Sequence, residues 1–181
     1  MLLDKSYRIL ILIVILSLSC SCKAQTNQLE EDDFYSIAFN NITLGSIEET
    51  DANISQMQSL FGNSLNVRIP EDSPSLAKDF WNDDIIIGFQ DDSDTGLEYY
   101  ILYIKLLTPL FSVNVKGMTA KIGDSISVFE DKFVFNKNSV DADNSKYYWL
   151  TFLDATTGTS SLSFTVDKFT NIIKEIEYNT F

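Results

Sequence analysis

The densest group of oxygen ligands in this chain is Asp91-Asp92-Ser93-Asp94-Thr95-Gly96, with Glu98 just beyond it. Carboxylates and hydroxyls gathered in this way are what Ca2+ prefers. Set against an EF-hand loop that starts at Asp91, Ser93, Thr95 and Gly96 fall correctly at the third, fifth and sixth places. Leu102 stands at the twelfth, where a bidentate Glu is required, and the flanking residues predict strands rather than helices. A polar hairpin loop accounts for the stretch better, so Asp91, Ser93, Thr95 and Glu98 form a weak metal candidate. Asp141-Ala142-Asp143-Asn144 reads the same way. Asp83-Asp84 and Glu175/Glu177 are spaced for acid–base chemistry, but 26 Asp and Glu residues make such pairs common by chance. No histidine is present, so a Ser-His-Asp triad, a Cys-His pair and an imidazole metal ligand are all excluded. Neither G-x-S-x-G nor S-x-x-K occurs, and the seven glycines form no phosphate-cradling loop. The expectation is a protein that is not an enzyme and takes no cofactor.

Sulfur chemistry is confined to Cys20 and Cys22. Lys5 and Arg8 make the start mildly basic, Ile9–Leu16 is unbroken apolar sequence, and Ser17–Cys22 is small and serine-rich. That order is the grammar of a secretory signal. The apolar run is far shorter than the ~20 residues a membrane-spanning helix needs. Leu16–Cys20 and Leu18–Cys22 both resemble the bacterial lipobox, a small residue before a Cys with aliphatic or small residues upstream. The resemblance implies cleavage before Cys20 or Cys22 and acylation of that cysteine; neither site has Leu three places before it, and both stay open. With residues 1–21 removed, Lys5, Arg8 and Asp4 go, leaving 11 basic and 25 acidic residues, a net −14. Residues 23–181 hold no Cys, so an apolar core must stabilise the body without a disulfide. A formal charge of −13 for the whole chain also removes nucleic acid as a partner.

Aromatic residues are the other surplus, 13 Phe, 8 Tyr and 2 Trp in 181 residues. In Leu97–Leu107, period-two alternation puts Tyr99, Ile101 and Tyr103 on one face and Tyr100, Leu102, Ile104 and Leu106 on the other. In Tyr147–Leu153 it puts Tyr147 and Trp149 opposite Tyr148, Leu150 and Phe152. Helices on one side would cover one face of such a sheet. The other is either buried as core or a binding surface, for which Tyr and Trp are favoured. Tyr99, Tyr103, Tyr147 and Trp149 are the candidate protein-binding residues.

Around these positions the chain divides into a signal peptide over 1–21, an acidic tether over 22–40 containing Glu30-Glu31-Asp32-Asp33, and two units, 41–116 and 117–181. In some bacterial groups, acidic residues near the lipid Cys also mark export to the cell surface. Ile47, Ile54, Met57, Leu60 and Phe61 recur at helical spacing and Gly62 ends the run. Ile85–Phe89, Leu97–Leu107 and Phe111–Val115 read as strands. The second unit opens on Ile122-Gly123-Asp124-Ser125, echoing Leu44-Gly45-Ser46. An amphipathic segment with Ile126, Phe129 and Phe133 follows, then strands at Tyr147–Leu153, Leu162–Val166 and Ile172–Tyr178. The expected fold class is α+β, two tandem units, each a short helical segment followed by an antiparallel β-meander, with helices on one face of the sheet.

The aliphatic-x-Gly-[Asp/Ser] start, a helix ending near Phe61-Gly62 and the strands after it resemble the β-lactamase-inhibitor-protein-like fold. The same unit is found in the small outer-membrane assembly lipoproteins of the SmpA/OmlA type. The resemblance covers Asn41–Phe181, although Phe133 is not followed by Gly. It implies a bacterial cell-envelope lipoprotein at the outer membrane, held by its lipid anchor, which serves as a protein-binding or assembly accessory for another envelope protein. The alternative is an envelope small-ligand binder or hydrolase using its carboxylates.

Overall fold

The structure is a computed structural model that describes residues 27–69, 77–91, 98–130, 132–133 and 146–181. Cys20, Cys22 and the signal peptide lie outside the described residues, as do Ser93, Thr95 and 141–144. Strands occupy 50% of what is described and helices 17%, which overturns the α+β expectation. The fold is mainly β, and its helices are too short to form a layer of units.

Among the described residues, one sheet has eight strands and the other four. In the large sheet the order is β1 (Asn27–Leu29), β10 (Tyr147–Asp154), β11 (Ser160–Asp167), β12 (Ile173–Thr180), β7 (Tyr99–Leu106), β6 (Ile85–Asp91), β5 (Ala77–Trp81) and β4 (Asn66–Arg68). All neighbours are antiparallel except β1, which runs parallel to β10. The small sheet is β3 (Ile42–Thr43), β2 (Ala38–Phe39), β8 (Ser112–Val115) and β9 (Met118–Lys121). Two-residue turns close both of its hairpins, Asn40-Asn41 and Lys116-Gly117, all four residues having positive φ. This turn chemistry matches strand twist. The expected unit boundary at 116/117 therefore falls inside a hairpin.

Among the described residues there are three α-helices: α1 (Glu31–Tyr35), α2 (Leu44–Glu48) and α3 (Ile54–Phe61). The Thr43 side chain caps α2 by accepting from the Ser46 N–H, and Asn53 caps α3 by accepting from the Gln56 N–H. Between them Asp51 and Ala52 both take φ of +50°, so the helical spacing seen across 47–61 is broken into two short pieces. Among the described residues of the second half's amphipathic segment, Ile126–Phe129 form a 3-10 turn. From Asn27 onward the presumed tether belongs to the body: β1 pairs with β10, and Leu29 and Phe34 are each 1% exposed.

One continuous core joins the two sheets. Phe34, Ile47 and Met57 from the helices meet Phe39, Val113 and Val115 from the small sheet and Phe80, Ile104, Phe164 and Ile176 from the large one. Helices and small sheet thus cover one face of the large sheet. Its other face carries no helix among the described residues.

Candidate functional site

The register of β7 decides what that open face presents. Gly88 pairs with Tyr103, but Phe89 pairs with Ile101, leaving Leu102 as an extra residue in a β-bulge. An extra residue shifts the alternation by one step. Tyr99, Ile101, Ile104 and Leu106 therefore face the core side, whereas Tyr103 and Lys105 face outward. Tyr99 is a correction to the expected grouping. It lies on the core side with Lys78 Nζ 4.0 Å above its ring, and its backbone N–H donates to Asp51 Oδ1 at 2.6 Å.

Outward, a polar row crosses four strands in register, from Arg68 to Asp79, Gly88 and Tyr103. Asp79 is 7% exposed. Its Oδ2 accepts from Arg68 Nη2 at 2.6 Å and Nε at 3.3 Å, and its Oδ1 accepts from the Tyr103 hydroxyl at 2.8 Å. The Tyr103 ring lies against Gly88, where an added Cβ would sit 2.2 Å from Cε1; only glycine leaves room for it. Burial, helped by the bond to Asp79, pushes the Tyr103 hydroxyl up to about 12.

Beside this row Trp81, 43% exposed, pairs with Ile86. Val67, Arg68, Asp79, Trp81 and Ile86 line an open depression of about 440 Å3. The next pair inward, Lys105 and Glu177, closes at 2.6 Å. The outward strand residues include two cations, Arg68 and Lys105, and four carboxylates, Asp79, Asp167, Glu175 and Glu177. Arg68 pairs with Asp79, Lys105 with Glu177 and the flanking Lys146 with Asp167, and Glu175 accepts from the Thr165 hydroxyl at 3.5 Å. Within a chain of net charge −13 this face is close to neutral.

Tyr147 and Trp149 also point outward, and Trp149 is 40% exposed. They stand on β10, three strand spacings or about 14 Å from β7, and Trp149 lies four residues along β10 from Leu153, which shares Tyr103's row. The four expected residues therefore divide: Tyr103 at one half of the face, Tyr147 and Trp149 at the other, and Tyr99 on the opposite side. Trp81 was missed by sequence reasoning. Its strand is five residues long, and the pattern Asp79-Phe80-Trp81 was its one available signal.

The remaining candidates hold structure together. Asp84 accepts from the Thr108 hydroxyl at 2.6 Å, and Asn82 Oδ1 accepts from the Asp84 and Ile85 N–H groups. Asp91 is 4% exposed at the end of β6, while Glu98 is exposed. Among the described residues no three Cys, Asp or Glu side chains converge as a metal site. No helix there is long and apolar enough to cross a membrane. No family model, curated protein or solved structure matches the chain.

Proposed function

We propose that this chain is a lipid-anchored protein of the bacterial cell envelope, acylated at Cys20 or Cys22 and held at the outer membrane. There it docks another envelope protein, without catalysis, on the Trp81–Tyr103 half of the open sheet face. The observation that carries this reading is the near-neutral patch around Trp81 on a strongly acidic body. Interface centres are depleted in unpaired charge and enriched in Trp, Tyr and Arg, and Trp81, Tyr103 and Arg68 supply all three. The Arg68–Asp79–Tyr103 bonds hold the patch rigid, which lowers the ordering cost of association.

Two measurements test it. Labelled palmitate should enter the chain and be lost when the modified cysteine is replaced by Ala; no incorporation into the intact chain refutes the anchor. A photo-crosslinking residue at 81 or 86 should give one discrete adduct in native envelopes, and the same residue at Val128 should give none. The adduct at 86 should vanish in Trp81→Ser at an unchanged melting temperature. Equal adducts from Val128, or none from either outward position, would refute the docking face.

A further inference from the structure

The aromatic residues at the other half of the face stand where the chain enters the fold. β1 runs parallel to β10, with Asn27 opposite Phe152. Its amino-terminal end therefore points toward the start of β10, where Tyr147 lies. Five residue steps lead from Cys22 to Asn27, and five from Tyr147 to Phe152. Five extended residues reach at most about 17 Å, and starting from Cys20 adds two more.

At that end the Lys168–Thr170 turn between β11 and β12 projects Phe169, 83% exposed, beside the start of β10; the Lys168 N–H donates to the Lys146 carbonyl at 3.0 Å. The turn is built to hold Phe169 outward. Asp167 Oδ1 accepts from the Phe169 and Thr170 N–H groups at 3.0 and 3.1 Å, and Lys146 pairs with Asp167 at 3.5 Å. Lys146 and Lys174 are exposed there and Lys168 half-buried, while the acids at this end besides Asp167 are Glu175 on β12, Glu130 near Tyr148 and Asp124, whose carbonyl accepts from the Ile173 N–H. Three lysines in one place are unusual in a chain with 13 basic and 26 acidic residues. The opposite end of the same three strands has Thr156, Thr157, Thr159 and the terminal Phe181, and no Lys.

We propose that the end of the sheet carrying Tyr147, Trp149 and Phe169 rests on the lipid surface. The aromatic side chains sit at headgroup level and Lys146, Lys168 and Lys174 meet lipid phosphates. Tyr and Trp suit this depth because one part of the ring system is apolar and another is polar, and each nearby Lys adds attraction to an anionic leaflet. The short link to the acylated cysteine brings the tip there. This rests on the anchor reading above. It leaves the Trp81 patch, about five strand spacings or ~24 Å across the sheet, free to face a partner.

The test uses the acylated full chain in vesicles of phosphatidylethanolamine and phosphatidylglycerol that carry acyl-brominated lipid. Acylation is checked by mass on the same sample. In Trp81→Phe, the remaining Trp149 should lose at least half its emission and shift to the blue. In Trp149→Phe, the remaining Trp81 should keep its emission. Adding Phe169→Asp to Trp81→Phe should reverse at least half of the quenching. A chain without acyl mass removes the anchor and this proposal with it. An acylated chain whose Trp149 is unquenched leaves the anchor standing and overturns the tip contact. A Trp149 shift that follows protein concentration at fixed lipid assigns the tip to a second copy and also overturns it.

Discussion

The Tyr103 hydroxyl donates to Asp79 Oδ1 at 2.8 Å across the whole width of β6, over a glycine that contributes no side chain. The bond depends on Gly88. Gly88→Ala places a methyl 2.2 Å from Cε1 and 2.7 Å from Cδ1, so the ring must lift and the bond must break. Overpacking of this kind costs about 1–3 kcal/mol. Urea unfolding should show that loss in Gly88→Ala and a much smaller one when Tyr103→Ala is already present, a coupling a double-mutant cycle reads directly.

Asp79 and Arg68 should differ sharply as targets. Asp79→Ala leaves the Tyr103 hydroxyl without its acceptor, and a half-buried donor without a partner costs about 1–3 kcal/mol. The Arg68 side chain is 70% exposed, and exposed ion pairs contribute little. Arg68→Ala should therefore leave the melting temperature nearly unchanged. Equal losses from the two substitutions would show that the ion pair, rather than the Tyr103 bond, stabilises the row.

Alkaline titration should find Tyr35 and Tyr103 among the late tyrosines, together with Tyr148 and Tyr178, which burial also raises. Burial, with Glu48 nearby, pushes Tyr35 up to about 12, and burial with the Asp79 bond does the same for Tyr103. Folding raises both above the ordinary 10, so their contribution is complete below pH 10 and is lost as pH climbs through 12. Absorbance at 295 nm should show both still protonated near pH 11. Tyr103→Phe should delete one late step and leave those of Tyr35, Tyr148 and Tyr178.

In acid, two carboxylates should act in opposite directions. Burial raises Asp154, but the Thr157 hydroxyl and the Thr156 and Thr157 N–H groups outweigh it and hold Asp154 below its ordinary 3.8. Its contribution is present above pH 3.8 and disappears as pH falls through the depressed value. Burial raises Glu48 above 4.5, so its ionised form destabilises the fold at neutral pH. Thermal melts should find Asp154→Asn less stable at pH 7 but not at the acid limit. Glu48→Gln should gain stability at pH 7 and lose that gain near pH 3.

Leu102 is the extra residue that joins the alternation of Tyr99 and Ile101 to that of Ile104 and Leu106. Deleting it leaves Ile101 opposite Phe89 and Tyr103 opposite Gly88 in an unbroken ladder, with every side chain on its present face. The deletion variant should therefore melt cooperatively and keep Tyr103 late in alkaline titration. Loss of the cooperative melt, or a Tyr103 that ionises early, would refute this register.

Strands rich in β-branched and aromatic residues were legible from sequence. Ile85–Phe89 lies within β6, Leu162–Val166 lies within β11, and Tyr147–Leu153 matches β10 to one residue. Local periodicity reports local pairing faces, and these strands keep one face throughout. The bulge was not legible, because Leu102 becomes the extra residue only through pairing with Gly88 and Phe89 on another strand. β1 and α1 were hidden for a different reason. Leu29 and Phe34 stand as single apolar residues among Glu30, Glu31, Asp32 and Asp33, a density too low to outweigh the charge. The single helix expected over 47–61 failed at Asp51 and Ala52, where neither residue type demands the positive φ it adopts. At the candidate site Tyr103 was named from the alternation of Leu97–Leu107, while Trp81 and the Asp79 bond required the register.

The parallel pairing of β1 with β10 has a mechanical consequence. Any tension on the amino-terminal segment enters the body through three residue pairs, Asn27–Phe152, Gln28–Leu153 and Leu29–Asp154. Drawn toward the Tyr147 end, that tension runs along the strand axis, so the ladder is loaded in shear and its bonds share the force together instead of opening one after another. Leu29, sunk in the core at 1% exposure, works as the barb at the end of this short strap. A pull tangential to the sheet is resisted by the whole strap, while a pull perpendicular to it peels β1 away from Asn27 onward. The fold is thus a directional coupling, stiff to drag along one axis and yielding along the other.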